Sequence, residues 1–445
     1  MKCAFVALAL LLVACKGDSP PPSAPRGATT STAPTQSVRI GVWTPPDPNA
    51  NTYGGAAIRE LVDPQLFKAT PSGKWEPSLV VRGSDKTDPG AQSARFRLHT
   101  AKWSDGTPIT VSDLRRTLDA RFVASIDDPS PRGTVVVHFT QPLPGWRMLW
   151  SGLATIGAPR AGISGGPYKV ATVTAGLETV LVVNPTYFGA APAIGEVHFV
   201  LAPDPEIAAR LMERGELDVI APPAYTGRTA RLERIKDAHV VAGDKGGWTA
   251  AFVANPARLT LEQRAFLFDY ANGPRFTDVL LHGEATASTD GAHLPQPAKP
   301  PFTGTPAFTA PDESPPGSVL LHAMQRAAHK AGFDFDLRQA EFDRVLETYA
   351  AGDYDALFRL QPGNVTRCWT CEYATVDAAL AKAADSGDRS AIGALRRKVI
   401  VENYELPLWR ERSVAAVRDG LVGVGVNGFD ALGASWNVAK WHWTH

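Results

Sequence analysis

The stretch that decides the fold is FRLHTAKWSDGTPITVSD, residues 96–113. It opens inside a segment of strict alternation, Ser93–His99, in which Ala94, Phe96 and Leu98 share one face and polar residues take the other. A period of two over such a length is that of a half-buried strand. Trp103-Ser104-Asp105-Gly106-Thr107-Pro108 then supplies turn chemistry: Asp and Gly provide the geometry, and Trp packs the joint. Thr110 can cap a helix, with the acid Asp113 three residues on. Leu114, Leu118 and Phe122 continue it as an expected apolar stripe. Strand, turn and helix therefore follow one another without a spacer.

The same grammar extends in both directions. Further strands are expected at Ser37–Trp43, Thr134–Phe139, Tyr168–Val173, Thr179–Val183, Glu196–Leu201, His239–Ala242 and Trp248–Ala254. Asp204-Pro205 opens a helix with proline at its first position, Ile207 and Leu211 are expected to face inward, and Gly215 stops it. Thr260 and Gln263 form a capping box ahead of Phe266, Leu267 and Tyr270. Phe342, Val345, Leu346 and Tyr349 line another helix, ended by Gly352. Strands alternating with helices make this an α/β chain. Residues 286–318, rich in Pro, Thr, Gly and Ala, read as a domain linker or as a long loop within one lobe.

Three ordered pieces carry a family resemblance. The first is Phe96–Asp113. The second is Gly165-Gly166-Pro167-Tyr168-Lys169-Val170 with Asn184-Pro185-Thr186-Tyr187. The third is Leu211-Met212-Glu213-Arg214-Gly215-Glu216-Leu217-Asp218. Together they resemble the bacterial extracytoplasmic solute-binding proteins of the dipeptide, oligopeptide and nickel class (family 5), the receptors of ABC importers. Gly352-Asp353-Tyr354-Asp355-Ala356 and Leu406-Pro407-Leu408-Trp409 fit in the same order. The resemblance implies an α/β, two-lobe periplasmic-binding-protein-like fold (type II) with an interlobe ligand cleft. It places lobe I at 38–249, lobe II at 250–417 and a return to lobe I at 418–445. It implies no enzyme activity and no cofactor, and capture of a small solute or short peptide by a monomer that closes its lobes. An ABC permease and its ATPase subunits are the implied partners. A non-transport lipoprotein that keeps the fold for a structural or signalling role is the alternative.

The head of the chain sets the compartment. Lys2, an apolar run from Ala4 to Val13 and then Ala14-Cys15 make an export signal. The run is far shorter than the ~20 residues a membrane span needs. Leu12-Val13-Ala14-Cys15 resembles the bacterial lipobox, which implies a signal peptide at 1–14 and a lipidated Cys15 anchoring the protein to a membrane. Residues 15–37, mostly Ser, Pro, Thr, Ala and Gly after Lys16, bury too little surface to order themselves and read as a flexible linker. The expected location is extracytoplasmic, in the periplasm or at the cell surface. The chain balances 45 Lys and Arg against 45 Asp and Glu, so it lacks the basic excess of a nucleic-acid binder.

Catalytic signatures are weak. Gly162-Ile163-Ser164-Gly165-Gly166 matches a nucleophile elbow in letters, but that motif needs a helix after it, and here a strand follows. Cys368 and Cys371 remain once Cys3 and Cys15 are assigned to the head. Outside the cytosol such a pair is expected to oxidise to a disulfide, with redox, metal-binding and free-thiol readings still open. No set of His and Cys at zinc spacing surrounds them, and no metal is expected.

Ligand contacts are expected from aromatic and polar residues near the lobe crossings: Trp43, Tyr53, Trp248, Arg359, Gln361, Asn364, Trp369 and Trp436. The aromatics can stack on a planar or apolar solute; the other reading of each is core packing, the commoner role of such residues. Peptide-binding members of the class place an Asp after the Asp-Tyr-Asp-Ala stretch to meet the peptide amino group. Here residues 357–369 contain neither Asp nor Glu but carry Arg359 and Arg367. Arginine favours a carboxylate or phosphate. The other reading of both is exposure to solvent or pairing with carboxylates of lobe I.

Overall fold

The computed structural model describes residues 36–445 apart from 51, 89, 121, 131–133, 144, 153–154, 244–246, 271–276, 289–298, 312–314, 331, 341, 363–368, 386–387, 403, 430–432 and 445. The chain is a mixed α/β structure built on three main sheets.

The largest sheet has seven strands. Ser37–Val42 lies at its centre, parallel to Glu196–Leu201 on one side and to Val219–Ile220 on the other. Val414–Arg418 and Ala238–Ala242 extend it beyond Val219–Ile220, and the hairpin Tyr168–Thr174/Glu178–Val183 extends it beyond Glu196–Leu201. Val38, Ile40 and Val42 alternate inward, as their spacing requires, and pack with Ile58, Leu61, Phe199 and Trp441. A six-stranded sheet forms the second lobe, with Trp248–Ala254 between Ala356–Pro362 and Glu405–Glu411, and Ala307–Pro311 beside Ala356–Pro362. Phe252, Phe308 and Phe358 fill its core. The chain passes from the first sheet to the second between Ala242 and Trp248 and returns between Glu411 and Val414. Residues 414–417, expected at the end of lobe II, therefore pair in the first lobe's sheet, and Trp248 already pairs in the second lobe's. Residues 307–311, expected in a linker or loop, form a buried strand of the second lobe.

A third, four-stranded sheet contains Ser93–Arg97, Thr134–Phe139 and Val123–Ser130, and surrounds its own core with Phe96, Trp103 and Trp146. The motifs quoted above meet where this sheet joins the first lobe. Ser104 N–H donates to Ser164 O at 2.7 Å, and Ser164 N–H donates to Ser104 Oγ at 3.0 Å. Asn184 Nδ2 donates to Gly166 O at 2.9 Å, and Thr186 Oγ1 donates to Trp103 O at 3.2 Å. A Cβ on Gly166 would stand 2.3 Å from Leu61 O, so only glycine fits there. Asp105 receives both Thr107 N–H (2.9 Å) and Thr107 Oγ1 (2.6 Å), and Gly106 has φ +87°, completing the turn. Asp113 Oδ2 accepts Thr110 N–H at 2.9 Å and closes the cap of helix Val111–Arg116.

Two helical expectations need correction. Helix Val111–Arg116 ends before Leu118 and Phe122, which pack on the third core from beyond it. In helix Pro205–Glu213 the buried face is Ala208, Ala209 and Met212, while Ile207 is 45% exposed. Small alanines let the helix approach its sheet closely, and that turns Ile207 outward. No described helix is long and apolar enough to cross a membrane.

Candidate functional site

Both crossings leave the first sheet from one edge. The C-terminal ends of Ser37–Val42, Val219–Ile220 and Ala238–Ala242 and the N-terminal end of Val414–Arg418 share that edge. In open α/β sheets ligands bind beyond the carboxyl ends of the strands. The second sheet presents the start of Trp248–Ala254 and the ends of Ala356–Pro362 and Glu405–Glu411 at its crossing edge, with Trp248 opposite Pro362 and Thr249 opposite Gln361 and Arg410.

Trp43 and Tyr53 come together at the first edge. Their rings stack with centroids 3.5 Å apart and planes 21° off parallel, and both side chains are half-buried. Local structure holds them there. Thr52 caps helix Tyr53–Val62 by accepting Gly55 N–H at 3.1 Å, and Thr44 Oγ1 accepts Gly54 N–H at 2.7 Å. A Cβ on Gly54 would lie 2.6 Å from Thr44 O, so glycine lets residues 44–50 fold onto the helix start. Arg59 Nη1 fastens that loop through Ala50 O at 2.5 Å and Pro48 O at 3.1 Å. Trp248 belongs by pairing to the second sheet, yet its half-buried ring packs against the first lobe's core, next to the chain crossing. Trp436 lies in the turn Ser435–Lys440, where its Nε1 donates to Gly425 O at 2.8 Å and Lys440 stands 5.8 Å over its ring.

Arg359 is placed elsewhere. It pairs opposite Ala251, deeper in the second sheet, and its Nη2 meets Glu405 Oε2 at 2.7 Å. Tyr373 Oη donates to the same oxygen. This partner is a carboxylate of the second lobe, whereas the sequence suggested an acidic group of a ligand or, in the other reading, solvent or a lobe I carboxylate. Register puts Gln361 close to the crossing edge, but its side chain and those of Trp369 and Cys371 lie outside the described residues. Asn364, Cys368 and Cys15 are outside them altogether. Ser164 is buried at the joint of the third sheet. Among the described residues no group of three or more His, Cys, Asp or Glu side chains could hold a metal ion.

A brace between the lobes was not legible in the sequence. Residues 222–229 leave the first sheet's edge and enter the second lobe, where Ala224 is fully buried in its core. Arg228, with a side chain 2% exposed, meets Glu284 Oε2 at 3.3 Å, and its Nη2 donates to Arg412 O at 2.6 Å. Thr229 donates to Glu284 through both N–H and Oγ1, each at 2.8 Å.

Residues 74–279 match the family model described as bacterial extracellular solute-binding proteins, family 5 Middle. Solved structures of the same fold include PBP AgaA from A. tumefaciens R10 in complex with agropinic acid, at 16% identity and TM-score 0.75, covering 92% of this chain and 99% of that one. The dipeptide binding protein of Pseudoalteromonas sp. SM9913 with Met-Leu aligns at 14% identity and TM-score 0.74, covering 92% and 100%. The oligopeptide-binding protein AppA of Bacillus subtilis with a nonapeptide aligns at 15% and 0.72, again covering 92% and 100%. No curated protein matches.

Proposed function

We propose that this chain, which belongs to the family 5 class of bacterial extracellular solute-binding proteins, captures a small solute or short peptide between its lobes and delivers it to an ABC permease with its ATPase subunits. The observation that carries this reading is the stacked Trp43–Tyr53 pair, fixed by a glycine-dependent loop at the edge where both chain crossings leave the first sheet. Such a half-buried aromatic platform beside a hinge suits a planar or apolar ligand group. Trp248 faces the same junction from the other sheet. Binding by lobe closure needs no bond chemistry. Neighbours of this fold are titled with ligands as different as agropinic acid, a dipeptide and Ni(L-His)2, so the scaffold leaves the solute open. The reading further attaches the protein to a membrane through a lipidated Cys15, places it outside the cytoplasm, and keeps it monomeric.

The test is a thermal-shift panel on the full chain against short peptides, amino acids, carboxylates, sugars and nickel chelates. A solute at ~100 times its dissociation constant should add about 2.7 kcal/mol of stability. The shift should fall sharply in Trp43→Ala and Tyr53→Ala variants whose folding is unchanged. Silence across the panel, with folded and ligand-free protein, would sink the receptor reading and favour a non-transport role.

A further inference from the structure

The brace buries an unbalanced charge. Arg228 supplies one guanidinium; Glu284 and Glu411 supply two carboxyls, and these three residues are 1%, 6% and 5% exposed. If both acids were ionised, the junction would hold a net negative charge away from water, which is costly and is most simply relieved by a proton. The hydrogen bonds indicate which acid carries it. Glu284 receives Arg228 Nε at 3.3 Å and the Thr229 N–H and Oγ1 at 2.8 Å each, so it is built to be the anion. Among the described residues Glu411 receives only neutral donors at longer range, Ala224 N–H at 3.2 Å and Trp409 Nε1 at 3.4 Å. Three of the remaining four Arg228 donors go to the carbonyls of Pro222, Glu284 and Arg412.

We propose that this junction is a proton-linked pivot: Glu411 sits in it as the neutral acid at neutral pH, and separating residues 222–229 from the second lobe wets the site and releases that proton to water. Glu411 is the last residue of its strand before the chain returns to the first lobe, so a change in its charge acts at the crossing itself. The surrounding charges agree. Burial lifts the Glu411 carboxyl above its ordinary range, and Arg228 opposes this only in part. Tyr225, beside Arg228 and Glu284, has its hydroxyl pushed up to about 12, chiefly by burial, and stays neutral. Arg410 and Arg412 flank Glu411 on its own chain with exposed side chains. The docked junction thus binds a proton more tightly than the separated one. Its docking is strongest below the ordinary glutamate range and weakens as pH rises through the raised value.

Infrared spectroscopy of the full chain tests this. Wild type should show a carboxylic-acid carbonyl band at pH 7 that is missing in Glu411→Gln. The thermal midpoint of wild type should fall more steeply with rising pH than that of the variant. A band unchanged in Glu411→Gln, or equal pH slopes, would overturn the proposal. If Glu411→Gln does not fold, Glu284→Gln decides. With one carboxyl left beside Arg228, Glu411 should ionise and its band should vanish; persistence of the band would count against the proton.

Discussion

At the scale of single residues, Arg359 shows how far a side chain's role depends on a partner distant in sequence. Its type and position suggested an anion-binding contact; the fold gives it Glu405, which is 8% exposed, and Tyr373. Removing one member of a buried ion pair leaves the other uncompensated, at a cost of about 3–5 kcal/mol. Arg359→Ala is therefore expected to lower the unfolding free energy by roughly this amount, and to leave solute affinity per folded molecule nearly unchanged. Denaturant unfolding beside calorimetric titration measures the two separately; loss of affinity at unchanged stability would return Arg359 to the ligand. Trp43 and Tyr53 illustrate the opposite case. Trp43 was legible as a candidate because it ends a strand whose alternation is clear, whereas helix Tyr53–Val62 was not expected and Tyr53 stood on its aromatic character alone. Their stacking was not legible, since it depends on residues 44–50 folding back over Gly54.

Among elements, strands were read more closely than helices. Tyr168–Thr174, Glu196–Leu201 and Trp248–Ala254 appear within a residue of where alternation placed them, because period two is visible in a short segment. Val123–Ser130 was missed, since Asp127-Asp128-Pro129 interrupts any such pattern. The face of Pro205–Glu213 was misjudged because close packing of alanines outweighs the hydrophobicity of Ile207. Helix Tyr53–Val62 ends on an unusual residue. Asp63 caps it, is buried, and has its carboxyl raised from 3.8 to about 6, chiefly by burial, against the Thr155 hydrogen bond and the charges of Arg59 and Arg116. A raised folded value means that the native state holds the proton more tightly. Stability is then fully present below the ordinary aspartate range and falls as pH rises through about 6. Asp63→Asn should add on the order of 2 kcal/mol at pH 7 and nothing at pH 3.5. Chemical unfolding at the two pH values checks this, and an equal effect at both would exclude the titration of Asp63.

At the scale of the molecule, the division into two lobes was legible from ordered motifs, but the brace was not. Arg228 and Glu284 lie in separate lobes, and no local pattern announces a contact over that distance. The brace ties the lobes beside the two crossings, so both should unfold together. Arg228→Met is expected to split one calorimetric transition into two, with the second lobe melting first; a single transition at lower temperature would make the brace a local contact only. The joint of the third sheet has a consequence of another kind. The chain leaves the first lobe after Val62, builds the four-stranded sheet with its own core, and comes back at Gly165 and Gly166, whose N–H groups both donate to Val62 O, at 2.9 and 2.8 Å. Departure and arrival are hydrogen-bonded neighbours. The intervening polypeptide is in effect a cassette whose two ends plug into one socket. An insertion within it would lengthen a loop already closed at Val62 and so need not displace the strands that frame the lobe crossings.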